Sequence, residues 1–195
     1  MIGGGAGEPS AAAGAAGPGG GGAGSNSSNG SNGTANTGGG GGAGSNEPTT
    51  GGNGGSGVVI VKELNKASGV WNLKSQLRAL QQGTWPDGTK VLGANLDYLI
   101  VAGGGGGGCG GGGGAGGGGA GGYRATAYGP SPLRGSSVSG LNTGTYTITV
   151  GAGGAGAPSY TSPGTQGGVS TISFPTAITS AGGGGGGAYG QGGGS

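Results

Sequence analysis

The stretch GGGGGGCGGGGGAGGGGA, residues 103–120, is glycine at every position except Cys109, Ala115 and Ala120. Glycine loses more backbone freedom on folding than any other residue, so such a run in isolation favours a flexible spacer. Here the run directly follows DYLIV at 97–101, whose apolar and β-branched residues predict a buried strand. Attachment to a strand favours an ordered tract over a spacer.

Glycine dominates the whole chain, at 66 of 195 residues, whereas proline contributes only 9. This glycine fraction is typical of collagen, but the sequence lacks the Gly-X-Y period of a collagen helix. Charged residues make up only 6% of the chain, so disorder driven by charge is also disfavoured. Large apolar side chains are too few to form an ordinary core. Either much of the chain is disordered, or backbone hydrogen bonding and close backbone packing hold it together.

Glycine backbone has one ordered state that other sequences cannot use. In the left-handed polyproline-II conformation, N–H and C=O groups point outward in three rows. Because glycine has no Cβ, neighbouring helices can exchange hydrogen bonds and Cα–H···O contacts. We therefore predict packed polyglycine-II helices for 103–122 and 182–194, whereas for 1–57 packed helices and a flexible linker are equally compatible with the sequence.

Short segments between the glycine tracts have the patterns of regular secondary structure. Strands are predicted at 57–64, 97–102, 144–154, 169–174 and 177–180. In the third of these, strict alternation predicts that Tyr146, Ile148 and Val150 share one face.

One segment has helical periodicity. Three leucines at i, i+4 and i+7, namely Leu73, Leu77 and Leu80, predict a helix at about 73–82. Asn72 suits its N-cap, Gly83 suits the position beyond its last turn, and WPDG at 85–88 predicts a β-turn.

These elements predict a mainly β and irregular fold, in which short strands join packed polyglycine-II helices, with one short α-helix. We divide the chain into a glycine-rich segment at 1–57, a connector at 58–95 with strand, helix and turn, and a glycine-rich domain at 96–195. Residues 182–195 resemble 38–56 as an imperfect repeat. The chain is therefore expected to start inside one unit and to stop short of the end of another.

The residue content disfavours catalysis. The chain has no histidine, a single cysteine, and five acidic residues without paired spacing, and the phosphate-binding pattern GxxxxGK[ST] is absent. We expect no enzymatic activity, no cofactor and no metal site. The seven basic residues are scattered, which disfavours nucleic-acid binding, and no apolar run approaches the ~20 residues of a membrane span.

Recognition needs side chains, and those suited to it are concentrated in two segments predicted to be loops, 123–134 and 157–166. Tyr and Arg are favoured in recognition surfaces, and prolines reduce the entropy lost when a loop is held. The candidate receptor contacts are Tyr123, Arg124, Tyr128, Arg134 and Tyr160. The alternative is that these side chains cover sheet edges or pack between subunits.

Apolar residues of the connector are candidates for packing or assembly: Val58, Val59, Ile60, Val61, Trp71, Leu73, Leu77 and Leu80. For Cys109 we expect a small side chain at the outer edge of a helix layer. An intersubunit crosslink or a reactive thiol is the alternative.

Five motifs in order carry a resemblance to a known family: GGSGVVIV, DYLIVAGGGGGG, GGAGGYR, GTYTITVGAGGAG and SAGGGGGGAYGQGGGS. Together they resemble the glycine-rich domain of bacteriophage tail-fibre and tail-tip proteins, over roughly 97–195 with a partial earlier unit at 1–61. The segment GVWNLKSQLRALQQGTWP is similar to a linker found in phage virion structural proteins.

The resemblance implies a virion protein located in the tail fibre or tail tip, with polyglycine-II helices whose loops touch a bacterial receptor or glycan. On this basis we expect a homo-oligomer, with a trimer favoured, that contacts other virion tail proteins. One alternative is a self-assembling filament protein, in which a strand such as 58–61 is supplied to the next subunit. Another is an ice-binding polyglycine-II bundle.

Overall fold

The computed structural model describes residues 12–45, 48–63, 72–83, 94–111, 114–142, 144–190 and 192–194. Within these ranges the chain forms short strands, one short helix and long irregular tracts, so the mainly β and irregular fold class is confirmed. The elements are β1 (Val58–Glu63), α1 (Leu73–Gln81), β2 (Ala94–Val101), β3 (Tyr123–Thr126), β4 (Arg134–Gly135), β5 (Val138–Leu141), β6 (Ile148–Thr149), β7 (Ser170–Ile172) and β8 (Ile178–Ser180).

The helix α1 begins and ends where its capping residues predict. The Asn72 side chain accepts a hydrogen bond from the Ser75 backbone N–H at 2.8 Å. Beyond the C-terminus, Gly83 has φ +62°, the left-handed conformation in which glycine is favoured. The predicted turn at 85–88 lies outside the described residues.

The strand β2 organises the larger sheet. Along its length it pairs antiparallel with β1, from Val58↔Val101 to Glu63↔Leu96. Its other edge is shared by β3 and β5, and β4 pairs parallel with β3. The prediction of a loop at 123–134 is therefore wrong at both ends of that segment. A physical reason is that β3 satisfies backbone groups that the second edge of β2 would otherwise leave unpaired.

The smaller sheet has the order β6–β7–β8 and packs against the larger one. The core between them comprises Tyr98, Ile100, Leu141, Ile172 and Phe174.

The predicted strand at 144–154 is mostly irregular, and only Ile148–Thr149 forms β6. Tyr146 contacts the Phe174 ring edge-on with a centroid separation of 5.6 Å. Ile148 and Val150 are 50% and 48% exposed, so the three residues do not share a buried face. The chain leaves the sheet here because at Gly151 it enters a glycine-rich tract.

Glycine-rich tracts lie side by side and are joined to one another by backbone hydrogen bonds. We call this assembly the glycine lattice. It combines tracts from both glycine-rich parts of the sequence; for example, the Gly41 N–H donates to the Gly105 carbonyl at 2.9 Å. The tracts are 20–25, 29–34, 38–45, 49–57, 102–110, 114–122, 151–157, 164–169 and 181–188.

The tract 102–110 lies at the centre of the lattice and bonds to six neighbours. From Ala102 to Gly108 the N–H groups donate in turn to 114–122, 164–169 and 49–57. The carbonyls of residues 103–108 accept in turn from 181–188, 151–157 and 38–45, and the Gly110 N–H donates to 38–45. The N···O distances lie between 2.8 and 3.1 Å, and each partner recurs at every third residue. A three-residue period is that of a polyproline-II-type helix, and on this ground we interpret the tracts as polyglycine-II helices.

The imperfect repeat has a structural counterpart. Tracts 38–45 and 181–188 both donate N–H groups to carbonyls of the central tract with the same three-residue period. The similar sequences therefore occupy similar positions beside the centre.

Successive tracts run in opposite directions. In the pairing of 102–110 with 114–122, Ala102 bonds to Gly122 while Gly108 bonds to Gly116. As a result, short connections such as 26–28 and 158–163 lie at one end of the lattice, which we call the loop end. Both sheets lie at the other, which we call the sheet end.

Candidate functional site

The predicted receptor contacts lie at opposite ends of the glycine lattice. The sheet end carries Tyr123, Arg124, Tyr128 and Arg134, on and between β3 and β4. Tyr160 lies at the loop end, in the connection between tracts 151–157 and 164–169. The eight residues 103–110 of the central tract correspond to roughly 25 Å of polyproline-II-type helix, so one compact ligand cannot touch both groups.

The connection between β3 and β4 is held by its own backbone. The Ala125 N–H donates to the Leu133 carbonyl at 3.3 Å, and the Ala127 N–H donates to the Gly135 carbonyl at 3.0 Å. The Arg124 guanidinium adds a hydrogen bond from Nη1 to the Pro132 carbonyl at 2.6 Å. These bonds fix the loop against the strand that precedes it.

Two of the predicted receptor contacts at the sheet end are open to solvent. Tyr128 is 73% exposed, and Arg134 is also exposed. Tyr123, by contrast, is half-buried, and its hydroxyl lies where a Cβ on Gly129 would be. Tyr123 therefore supports the loop, and we call the exposed pair Tyr128 and Arg134 the sheet-end patch.

Tyr160 is used in packing at the loop end. Its ring lies against Gly111, where an added Cβ would be closer than 3.0 Å to the ring. Its carbonyl accepts from the Tyr189 N–H at 3.2 Å. The Tyr189 side chain is 60% exposed and is the more accessible aromatic group of the two.

Arg124 also lines a cavity between the two sheets, with a volume of about 380 Å³. Its other lining residues are Tyr98, Gly135, Ala177, Ile178 and Thr179. Sequence reasoning missed Tyr98 and Thr179, since each lies in a strand pattern that indicates packing. The only signal for either would have been the contact between two sheets that are distant in sequence.

The assembly candidates fall into two groups. In β1, Val58 and Val59 are half-buried, whereas Ile60 and Val61 are 53% and 37% exposed. In α1, all three leucines are more than half exposed: Leu73 at 72%, Leu77 at 51% and Leu80 at 58%. Trp71 lies outside the described residues.

Cys109 is fully buried at the end of the central tract, so the expectation of an outer-edge position is wrong. Its thiol donates to the Thr49 carbonyl, with Sγ 3.0 Å from the oxygen, and Sγ lies 3.6 Å from the Thr49 hydroxyl. The central tract has neighbours on all sides, and for that reason its side chains have no outer edge to occupy.

Among the described residues, no group of three or more His, Cys, Asp or Glu side chains could hold a metal ion. The Asp97 carboxylate accepts a hydrogen bond from the Ser137 hydroxyl at 2.7 Å. Within the described ranges, no helix is both long enough and apolar enough to cross a membrane.

Comparison with curated proteins and with solved structures found no match. A family model described as a glycine-rich domain matches residues 80–195, which include the central tract, the tracts that follow it and all strands from β2 onward. Because the match spans more than half of the chain, the protein belongs to the glycine-rich domain family.

Proposed function

We propose that this protein is a non-enzymatic structural component of a virus particle, in the tail-fibre or tail-tip class, that attaches the particle to a bacterial surface receptor or glycan. The observation that carries the proposal is the central tract with its six bonded neighbours. A lattice of this kind is a stiff body built almost without side chains. It is suited to hold a binding loop at a fixed position in a fibre.

The sheet-end patch has the chemistry of a recognition surface. Binding residues are commonly placed on loops that a rigid scaffold positions. Tyr128 and Arg134 belong to residue types enriched at interface hot spots, and both are exposed, Tyr128 on the connection between β3 and β4 and Arg134 at the start of β4. A loop that is already held loses little conformational entropy on binding.

We expect the double variant in which serine replaces both Tyr128 and Arg134 to bind bacterial cells at least about tenfold more weakly than the wild-type protein. Each of two such contacts contributes more than about 1 kcal/mol to binding. Binding to a panel of strains, followed by flow cytometry, measures the effect. The matched control is Tyr189→Ser, which removes an exposed tyrosine at the loop end.

Three outcomes separate the possibilities. Loss in the double variant with normal binding by Tyr189→Ser supports the patch. Loss in Tyr189→Ser alone places attachment at the loop end and overturns the patch. Wild-type protein that binds no strain of the panel contradicts the attachment function.

A second candidate function is self-assembly along β1. This strand ends the path of the larger sheet, and Ile60 and Val61 beside its outer edge are exposed. Exposed apolar edge strands readily pair with another chain. Because β1 pairs with β2 of its own chain, such assembly would add a strand to its outer edge rather than exchange it.

Replacing both Ile60 and Val61 with lysine is expected to convert an oligomer to a monomer, because charged side chains block the pairing of edge strands. Multi-angle light scattering measures the mass, which also tests the trimer that we favour. Val169→Lys is the control, since Val169 is 46% exposed but lies in the glycine lattice. A variant that keeps the wild-type mass, or a wild-type monomer, would exclude this route.

A further inference from the structure

A charged residue occupies a position on the core-facing side of the larger sheet. Arg124 pairs with Ile100 in the β2–β3 register, so the two side chains share a face. Ile100 is fully buried in the core cluster. Arg124 itself is half-buried, so part of its side chain packs between the sheets while part remains accessible to a ligand.

The Arg124 guanidinium is held in place but is not neutralised. One of its donors, Nη1, bonds to the Pro132 carbonyl at 2.6 Å, and the guanidinium has further N–H donors. In the part of the chain that the structure describes, no carboxylate forms an ion pair with it. A cation that is oriented and has donors to spare can receive an anion.

The space beside Arg124 is large enough for a small molecule. The cavity of about 380 Å³ lies where β8 of the smaller sheet meets β3 and β4. This volume is within the range of small-molecule sites, roughly 300 to 1,000 Å³. Its walls combine the polar groups of Arg124 and Tyr98 with apolar surface from Ala177 and Ile178.

Tyr98 provides a second donor. Its backbone N–H bonds to the Thr126 hydroxyl at 3.0 Å, whereas its phenol makes no hydrogen bond within the described residues. Tyr98 is 7% exposed and belongs to the core cluster, so packing fixes the direction of its phenol. The hydroxyl lies beside Gly135, where an added Cβ would collide with it.

We propose that this intersheet cavity binds the carboxylate of a sugar acid. The planar guanidinium matches a carboxylate, the Tyr98 phenol supplies a further hydrogen bond, and Ile178 offers apolar surface to the C–H groups of a sugar ring. The choice of a sugar as the carrier of this carboxylate rests on the proposed attachment function. The ligand would then be a uronic acid of a bacterial surface polysaccharide.

The test is titration of the full chain with glucuronate, followed by two-dimensional NMR. Saturable shifts are expected at the backbone signals of the cavity residues. Arg124→Gln should weaken binding about tenfold or more, since it removes a charged hydrogen-bond partner. Arg78→Gln is the matched control, because Arg78 is an exposed arginine of α1 that is not among the cavity-lining residues. Tyr98→Phe removes only the phenol oxygen and gives a second variant, and thermal unfolding of each variant checks that it is folded.

Two further titrations define the ligand class. Glucose lacks the carboxylate and should bind much more weakly, whereas inorganic phosphate reports binding of any anion. Equal shifts with glucose, or equal affinity for phosphate, would overturn a sugar-acid site. The proposal would also be overturned if the wild-type protein did not bind glucuronate. The same holds if Arg124→Gln and Tyr98→Phe were both folded and both kept the wild-type affinity for glucuronate.

Failure of this inference is separable from failure of the proposed function. If glucuronate does not bind but the Tyr128 and Arg134 double variant still loses cell attachment, the site is excluded and the function stands. If glucuronate binds at Arg124 but the wild-type protein binds no strain, the site stands and attachment is excluded.

Discussion

Gly106→Ala is expected to destabilise the protein by about 3 kcal/mol or more, the upper end of the cost of overpacking. A Cβ at Gly106 would lie within 3.0 Å of backbone atoms of both Ala155 and Gly156. Backbone cannot rotate away as the end of a flexible side chain can, so two tracts must separate. Their separation would also weaken the bond from the Gly154 N–H to the Gly104 carbonyl and that from the Ala157 N–H to the Gly107 carbonyl, both 2.8 Å.

The matched control is Gly144→Ala, because an added Cβ at Gly144 meets nothing within 4 Å. Chemical denaturation followed by circular dichroism gives the free energy of unfolding of both variants. Gly144→Ala should lie within about 0.5 kcal/mol of wild type, as surface substitutions do. Equal denaturation midpoints for the two variants would show that the central tract does not depend on close backbone approach.

The sequence predicts the local elements of this fold well, because they depend on near neighbours along the chain. The leucine spacing and the residues Asn72 and Gly83 suffice for α1, and the run from Val58 to Val61 suffices for β1. The order of the lattice could not be predicted in the same way. Tracts of nearly identical glycine sequence carry no side chains that distinguish one neighbour from another, so strands and loop lengths must select the pairing.

The candidate site was only partly predictable, because some of its residues depend on contacts between elements that are distant in sequence. Tyr128 and Arg134 are recognisable as exposed residues of a proline-containing segment, and both are exposed. The same reasoning placed Arg124 on a loop, whereas it lies on β3 and faces the core side of the sheet. The cavity beside Arg124 forms where β8 contacts β3, and a contact between strands so far apart in sequence cannot be predicted from a local pattern.

A single side chain connects the glycine lattice to both sheets. Ser170, the first residue of β7, is fully buried. Its hydroxyl donates to the carbonyl of Val101, the last residue of β2, at 2.8 Å. It also accepts from the N–H of Gly151, the first residue of a tract, at 2.9 Å. Serine is suited to this junction, because one hydroxyl is both donor and acceptor and is small enough to fit.

Ser170→Ala is expected to lower the free energy of unfolding by about 2 to 3 kcal/mol. The change creates little empty volume, but it leaves the buried Gly151 N–H without its acceptor and removes a donor from the Val101 carbonyl. Denaturant titration measures the loss, and Ser173→Ala is the control, since Ser173 is exposed and its backbone bond to Thr147 does not involve the side chain. A loss of less than about 0.5 kcal/mol in both variants would mean that lattice and sheets are held together by other contacts. A loss confined to Ser170→Ala would show that the hydroxyl bridge couples the stability of the sheets to that of the lattice.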